Sequence, residues 1–248
     1  MTNLLDLTGR VAVVIGATSG LGRTLAEGLA AHGATVVPTG RRLELIDASA
    51  PVRQACDVGS RESIDHFRDA VLAQYGHVDI LLNAAGQTLK CPVQDIKEDD
   101  WTRIFDVSLT GTLRACQSFY EPLKASGHGR VINIASLGSY VAFHQVAAYC
   151  AAKTGVLSLT RSLACEWAKD GISVNAIAPG IFPTDLNRKL IDGTPRGQEL
   201  LMRTPMGRFG NPEELVGIAV LLASDGASYL TGQCIGVDGG YLASGVNS

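Results

Sequence analysis

The sequence predicts an α/β fold: one doubly wound parallel sheet of about seven strands with helices on both faces. Three observations carry that expectation. Short β-branched apolar runs alternate with longer helix-period segments from end to end. The runs are continuously apolar rather than alternating, as in strands covered on both faces. The unusual residues gather just after the runs, at the carboxyl ends where an open parallel sheet binds its ligands.

In chain order, VAVVI (11–15) is the first strand, and the helix-period segment 20–32 follows it. TVV (35–37) is the second. Pro38 then stands where a proline removes a ladder donor, so it is expected at the strand's last residue or at a bulge. The crossover from Arg41 to Val52 is short and leaves two turns for a helix at 43–49. Ala55-Cys56 reaches the next strand end, followed by a helix over 61–75. DILLN (79–83), helix 99–123, RVINI (130–134), helix 148–170, SVNAI (173–177), helix 212–223 and CIGV (234–237) complete the pattern. No repeat, low-complexity tract or linker divides residues 1–248, which are read as one domain.

The chain has 248 residues, of which 46% are hydrophobic and 18% charged, which excludes disorder. A net charge of −3 leaves no basic stripe for nucleic acid or an anionic membrane. No stretch approaches the ~20 apolar residues of a membrane span, and the start lacks the basic region of a signal peptide. Cys56, Cys91, Cys116, Cys150, Cys165 and Cys234 are scattered, with no C-x-x-C pair and no histidine at ligand spacing. They read as reduced thiols of a cytoplasmic protein without a metal site.

The first strand runs into Gly16-Ala17-Thr18-Ser19-Gly20-Leu21-Gly22 and then a helix. Glycines there let backbone approach a phosphate, and the helix N-terminus attracts it. After the second strand, Gly40 stands where an acid would bind a ribose 2′-hydroxyl, and Arg41 and Arg42 follow, which suit a 2′-phosphate. That favours NADP(H), with NAD(H) as the alternative. Asp57, Asn83-Ala84-Ala85-Gly86, Ser136 and Pro179-Gly180 follow the later runs. Tyr149 and Lys153 are one helical turn apart, so the lysine cation is expected to lower the phenol's pKa toward the working pH. Ser136 would bind a substrate carbonyl oxygen beside that phenol.

These residues make the chain resemble the short-chain dehydrogenase/reductase family from Leu7 to about Leu242. The motifs are GATSGLG (16–22), NAAG (83–86), IASLG (134–138), YCAAK (149–153), NAIAPG (175–180) and VDGG (237–240). The resemblance implies a Rossmann-type fold and hydride transfer between a nicotinamide cofactor and an alcohol/carbonyl pair. Tyr149 would be the general acid/base, Lys153 would hold the ribose and tune the phenol, and Ser136 would orient the substrate oxygen. Gly16, Thr18, Ser19, Gly20, Leu21, Gly22, Arg41, Arg42, Asp57, Val58, Asn83, Ala84, Ala85, Gly86, Pro179, Gly180, Ile181 and Thr184 would line the cofactor.

Two positions depart from the family. Ser108 replaces an Asn of the proton relay, a shorter side chain with one donor rather than two. Ile15 replaces a threonine before the first glycine, removing a hydroxyl that ties down the loop. Within the family, the tail RTPMGRFGNPEEL…SYLTGQCIGVDGGY is similar to bacterial sugar-acid and polyol dehydrogenases and 3-oxoacyl reductases, and NAAGQTLKCPVQDIKEDDW and PGIFPTDLNRKL are most similar to gluconate 5-dehydrogenases. Lys90 and Arg188 would then meet an anionic substrate, and His144 would line its pocket. The segment 183–205 would be the substrate lid. A homotetramer is implied, built through the long helices carrying Gly111, Ala151 and Gly155, although packing within the chain explains these small residues equally well. A cofactor-binding sensor with weakened turnover is the alternative, favoured by Ser108 and opposed by intact Ser136, Tyr149 and Lys153.

Overall fold

A computed structural model describes residues 3–184 and 187–247 of the chain. The strands are β1 (Val11–Ile15), β2 (Thr35–Thr39), β3 (Ile80–Asn83), β4 (Arg130–Ile134), β5 (Ser173–Pro179) and β6 (Cys234–Val237). The helices are α1 (Gly20–Ala31), α2 (Arg61–Tyr75), α3 (Glu98–Phe105), α4 (Gly111–Ala125), α5 (Ala147–Trp167), α6 (Arg188–Ile191), α7 (Pro195–Met202) and α8 (Val216–Ala223). All pairs in the sheet are parallel, in the order β2-β1-β3-β4-β5-β6. The order reverses between β1 and β3, and that switch point opens the crevice used below.

The pleat sorts β1 by its period of two. Val11, Val13 and Ile15 belong to the core with Phe67 of α2, Phe119 of α4 and Leu163 of α5. Ala12 and Val14 belong to the opposite core with Leu25 and Leu29 of α1 and Val220 of α8. Phe67 and Phe119 are fully buried with ring centroids 6.4 Å apart. Each such side chain contributes about 2–3 kcal/mol. The ends of α2 follow local chemistry: the Ser60 hydroxyl accepts from Ser63 N–H at 3.2 Å, and Gly76 closes the helix at φ 77°.

Six strands form among the described residues, not about seven, and β2 shows why. Thr35 N–H donates to Arg10 O and Thr39 O accepts from Gly16 N–H, so the odd residues of β2 bond towards β1. Val36, Pro38 and Gly40 therefore bond outwards. Pro38 has no donor to offer a seventh strand. What runs alongside is one backbone bond, Cys56 N–H to Gly40 O at 3.1 Å, and one from Thr39 Oγ1 to Gln54 O at 2.8 Å. Pro38 is thus neither last in its strand nor bulged; it sits in register opposite Val14 on an edge.

Two helical expectations are also corrected. The crossover holds a single 3₁₀ turn at Leu43–Leu45 in place of two turns over 43–49. The segment 99–123 is helical but carries a π turn at Asp106–Thr110, closed by Gly111 N–H on Asp106 O. A Cβ on Gly111 would stand 2.8 Å from Val58, and one on Gly155 2.7 Å from Leu109, so both glycines serve packing within the chain. Segment 183–205 holds α6 and α7, with Asp185 and Leu186 outside the described residues. Ile191 and Leu200 seat these helices on Leu137 and Tyr241.

Candidate active site

A cleft of about 490 Å³ opens across the carboxyl ends of the sheet. Gly16, Thr18, Ser19, Gly20, Leu21, Gly22, Arg41, Arg42, Val58, Ala84, Ala85, Gly86, Ser136, Tyr149, Lys153, Pro179, Gly180 and Thr184 all line it. Asp57, Asn83, Ser108, Ile181, Lys90, His144 and Arg188 do not. Asp57 is exposed, and its Oδ1 accepts from Gly59 N–H at 2.9 Å. Ile181 lines a neighbouring cavity with Met206 and Asp238. Lys90, His144 and Arg188 are exposed beyond the lining. Gly40, noted above as replacing an acid, also lines the cleft, and Gln87, Thr88, Phe182 and Asn187 line it without having been singled out. For Gln87 and Thr88 the signal was there, since both directly follow NAAG.

The glycine loop is tight because backbone crosses backbone. Gly16 has φ +89°, and a Cβ there would stand 2.6 Å from Ala85 N. One on Gly22 would stand 2.3 Å from Gly16 O. The hydroxyl missing at Ile15 is made good by β2: Thr39 O accepts from Gly16 N–H at 2.8 Å and from Ala17 N–H at 2.9 Å. Ser19 stands at the N-cap of α1 without capping it. Its hydroxyl instead accepts from Arg42 Nη2 at 2.5 Å, and the same nitrogen lies 3.3 Å from Thr18 Oγ1. A guanidinium and a helix N-terminus thus converge on one end of the cleft, the pairing that binds anions.

Below the floor, a chain of amides has a fixed direction. Thr160 Oγ1 donates to Val156 O at 2.8 Å, so it accepts from Asn133 Nδ2 at 3.0 Å. Asn133 then presents Oδ1 to Asn83 Nδ2, also at 3.0 Å. Among the described residues, Asn83 Oδ1 is left buried without a partner. A buried acceptor in that state is costly and calls for a small donor such as water.

At the other end, Ser136 follows β4, Tyr149 stands in the first turn of α5 and Lys153 one turn on. The Ser136 hydroxyl accepts from Gly138 N–H at 3.1 Å and hydrogen-bonds the Tyr149 phenol. Lys153 is buried, and its Nζ donates to Ile134 O at 2.6 Å. Ser139 Oγ donates to Lys153 O at 2.8 Å and steadies the turn. The expected lowering of the phenol is reversed. Burial pushes the Tyr149 pKa up, against the opposing bond to Ser136, and pushes Lys153 down to about 8. The ammonium is 6.0 Å from the Tyr149 ring centroid and turned to the Ile134 carbonyl.

The model of a family described as Enoyl-(Acyl carrier protein) reductase matches residues 16–242. The chain is 38% identical to a D-threitol dehydrogenase of Mycolicibacterium smegmatis over 95% of this chain and 94% of that protein. It is 34% identical to a gluconate 5-dehydrogenase of Gluconobacter oxydans over 98% of each. It superposes with a TM-score of 0.93, at 36% identity, on the crystal structure of a gluconate 5-dehydrogenase from Burkholderia cenocepacia in complex with NADP and tartrate, covering 98% of this chain and 99% of that one. The chain belongs to the short-chain dehydrogenase/reductase family and is an oxidoreductase of CH–OH and C=O groups.

Proposed function

We propose that the protein interconverts a secondary alcohol and a ketone with NADP(H) in preference to NAD(H), on a sugar acid such as gluconate/5-ketogluconate. The observation that carries this is the cleft itself, with Arg42 and the α1 N-terminus at one end and Ser136, Tyr149 and Lys153 at the other. The glycine loop, where a Cβ on Gly16 or Gly22 would strike backbone, sits at the N-terminus of α1 and fits a dinucleotide pyrophosphate. Arg41 and Arg42 would hold the 2′-phosphate, and Lys153 and Tyr149 would face the nicotinamide ribose. Val58 would line that wall, and Asp57, Asn83 and Ile181 would support it without touching the cleft. The Burkholderia relative was crystallised with NADP and with tartrate, a hydroxy acid.

The bound nicotinamide supplies or accepts the hydride. The protein's part is protonic. Ser136 orients the substrate oxygen, and Tyr149 gives a proton to it in reduction or takes one in oxidation. A phenol pushed up by burial rests protonated, ready to act as acid. Lys153, at about 8, exchanges protons near the working pH. Ser108 would complete the relay as the shorter stand-in for Asn. Lys90, His144 and Arg188 would meet the anionic substrate as segment 183–205 closes over it, the whole chain acting as one domain. A homotetramer in the cytoplasm completes the reading, supported by six free thiols and the prevalence of closed symmetric assemblies. Among the described residues no helix is long and apolar enough to cross a membrane. The dehydrogenase names of the relatives favour the enzyme over a cofactor-binding sensor.

The test is titration with NADPH and NADH, then a carbonyl panel that includes 5-ketogluconate. Tighter NADPH binding with turnover of the sugar acid is expected. Binding without turnover on the whole panel, not repaired by Ser108→Asn, would overturn the reading in favour of the sensor.

A further inference from the structure

Gln87 lines the cleft directly after Gly86, and hydrogen bonds hold it at three atoms. Its N–H donates to Ser108 Oγ at 3.2 Å, and Ser108 Oγ donates to its carbonyl oxygen at 3.4 Å. Its Oε1 accepts from Arg103 Nη1 at 2.8 Å. A guanidinium has donors only, so the amide atom facing Arg103 must be the oxygen. Arg103 is itself held by Asp100 Oδ1 at 2.7 Å. The Gln87 Nε2 group is left over, and among the described residues no hydrogen bond occupies it.

The position matters as much as the orientation. A Cβ added to Gly86 would stand 3.5 Å from Lys153 Nζ and 3.8 Å from Ser108 Oγ. Gln87 is therefore one peptide from the ammonium that serves Tyr149, at the substrate end. Ser108 lies within the π turn at 106–110, and π turns recur at functional sites.

We infer that Gln87 is a specificity-determining residue: its amide N–H donates to a hydroxyl or carboxylate oxygen on the substrate chain beside the reacting carbon, with Arg103 and Ser108 as positioning residues. The inference rests on the function proposed above. A sugar acid carries an oxygen acceptor on every carbon, whereas a plain alkyl ketone offers only the carbonyl oxygen that Ser136 and Tyr149 take. Gln87 is half-buried, and a donor on the cleft wall that the plain ketone leaves without an acceptor favours the substrate that supplies one.

Steady-state kinetics with NADPH and 5-ketogluconate test this. Gln87→Leu is expected to raise KM roughly 3- to 10-fold, the loss of one neutral hydrogen bond, with kcat and NADPH affinity little changed. Arg103→Met is expected to raise KM by less, and Arg103→Lys, which keeps a donor, to restore part of the loss. An unchanged KM in Gln87→Leu, or a matching loss of NADPH affinity, would overturn the inference alone. An inert Arg103→Met would overturn the positioning role of Arg103. Wild-type protein that turns over no sugar acid would overturn the proposed function and, with it, the ligand assigned to Gln87.

Discussion

Lys153 Nζ rests 2.6 Å from the carbonyl oxygen of Ile134, the last residue of β4 and two before Ser136. The cation is thus tied to the strand that delivers the serine, and it is buried. Its folded pKa of about 8 lies below the ordinary 10.5. Below both values folded and unfolded chains carry the charge alike, and folding bears the full cost of burying it, roughly 3 kcal/mol. Between them the unfolded chain keeps a proton that the folded chain has released, so stability rises with pH through that window. Lys153→Met should remove this rise and gain stability at neutral pH, offset in part by the lost bond to Ile134. Denaturant melts of both proteins at about pH 7 and about pH 10 check it; parallel slopes would count against it.

Tyr149→Phe keeps the ring and removes only the hydroxyl that bonds Ser136. Turnover should fall by roughly 10²- to 10⁴-fold, the range for a positioned acid–base group. NADPH affinity should stay near that of the wild type. Retained turnover, measured by NADPH absorbance, would remove the phenol from the mechanism.

Arg42 and Arg41 both line the cleft, but only Arg42 is docked on Ser19 and Thr18. Arg42→Ala should therefore weaken NADPH more than Arg41→Ala does, and weaken NADH little. Loss of one charge-assisted bond corresponds to about 1.5–3 kcal/mol. Calorimetric titration with both cofactors checks this; equal losses for NADH would return Arg42 to a role in loop packing.

At the opposite end of the sheet, His128 Nδ1 lies 3.1 Å from Asp225 Oδ1, and Nε2 lies 3.4 Å from Ala223 O. Burial, then Arg130 and Arg10, hold its pKa below the ordinary 6.5 despite Asp225. As pH falls through 6.5 the unfolded chain takes up a proton that the folded chain resists, so stability falls with acid. His128→Gln should lose less stability than wild type between about pH 7.5 and about pH 5.5 in urea melts.

What could be read before the structure was whatever local pattern or strand-end placement decides. All six strands were marked by apolar, largely β-branched runs, because strands covered by helices keep few polar positions, Asn83, Asn133 and Asn175 being buried exceptions. The glycines, Ser136, Tyr149 and Lys153 were legible because each follows a strand or shares a helix turn. The absence of a seventh strand among the described residues was not. Pro38 flagged trouble, but only the bonding direction of Thr35 and Thr39 shows that its missing donor faces outwards. Lys90, His144 and Arg188 were chosen for charge or chemistry, which says nothing about the direction a side chain takes. Gln87 was passed over for the converse reason: its orientation is set by Arg103, sixteen residues away in sequence. The phenol's shift was misjudged because burial outweighs a neighbour whose charge is turned to a carbonyl.

The open edge at Pro38 has a consequence for how this enzyme can change. The segment 41–57, which carries both arginines, meets β2 by two hydrogen bonds rather than a ladder and is anchored in the core by Val52 and Cys56. Exchanging it would leave the pairing of the other strands intact. With the role proposed for Arg41 and Arg42, coenzyme choice resides in this strap and can change at the arginines while Val52 and Cys56 hold it to the core, and the proline guards the bare flank against recruitment by another chain.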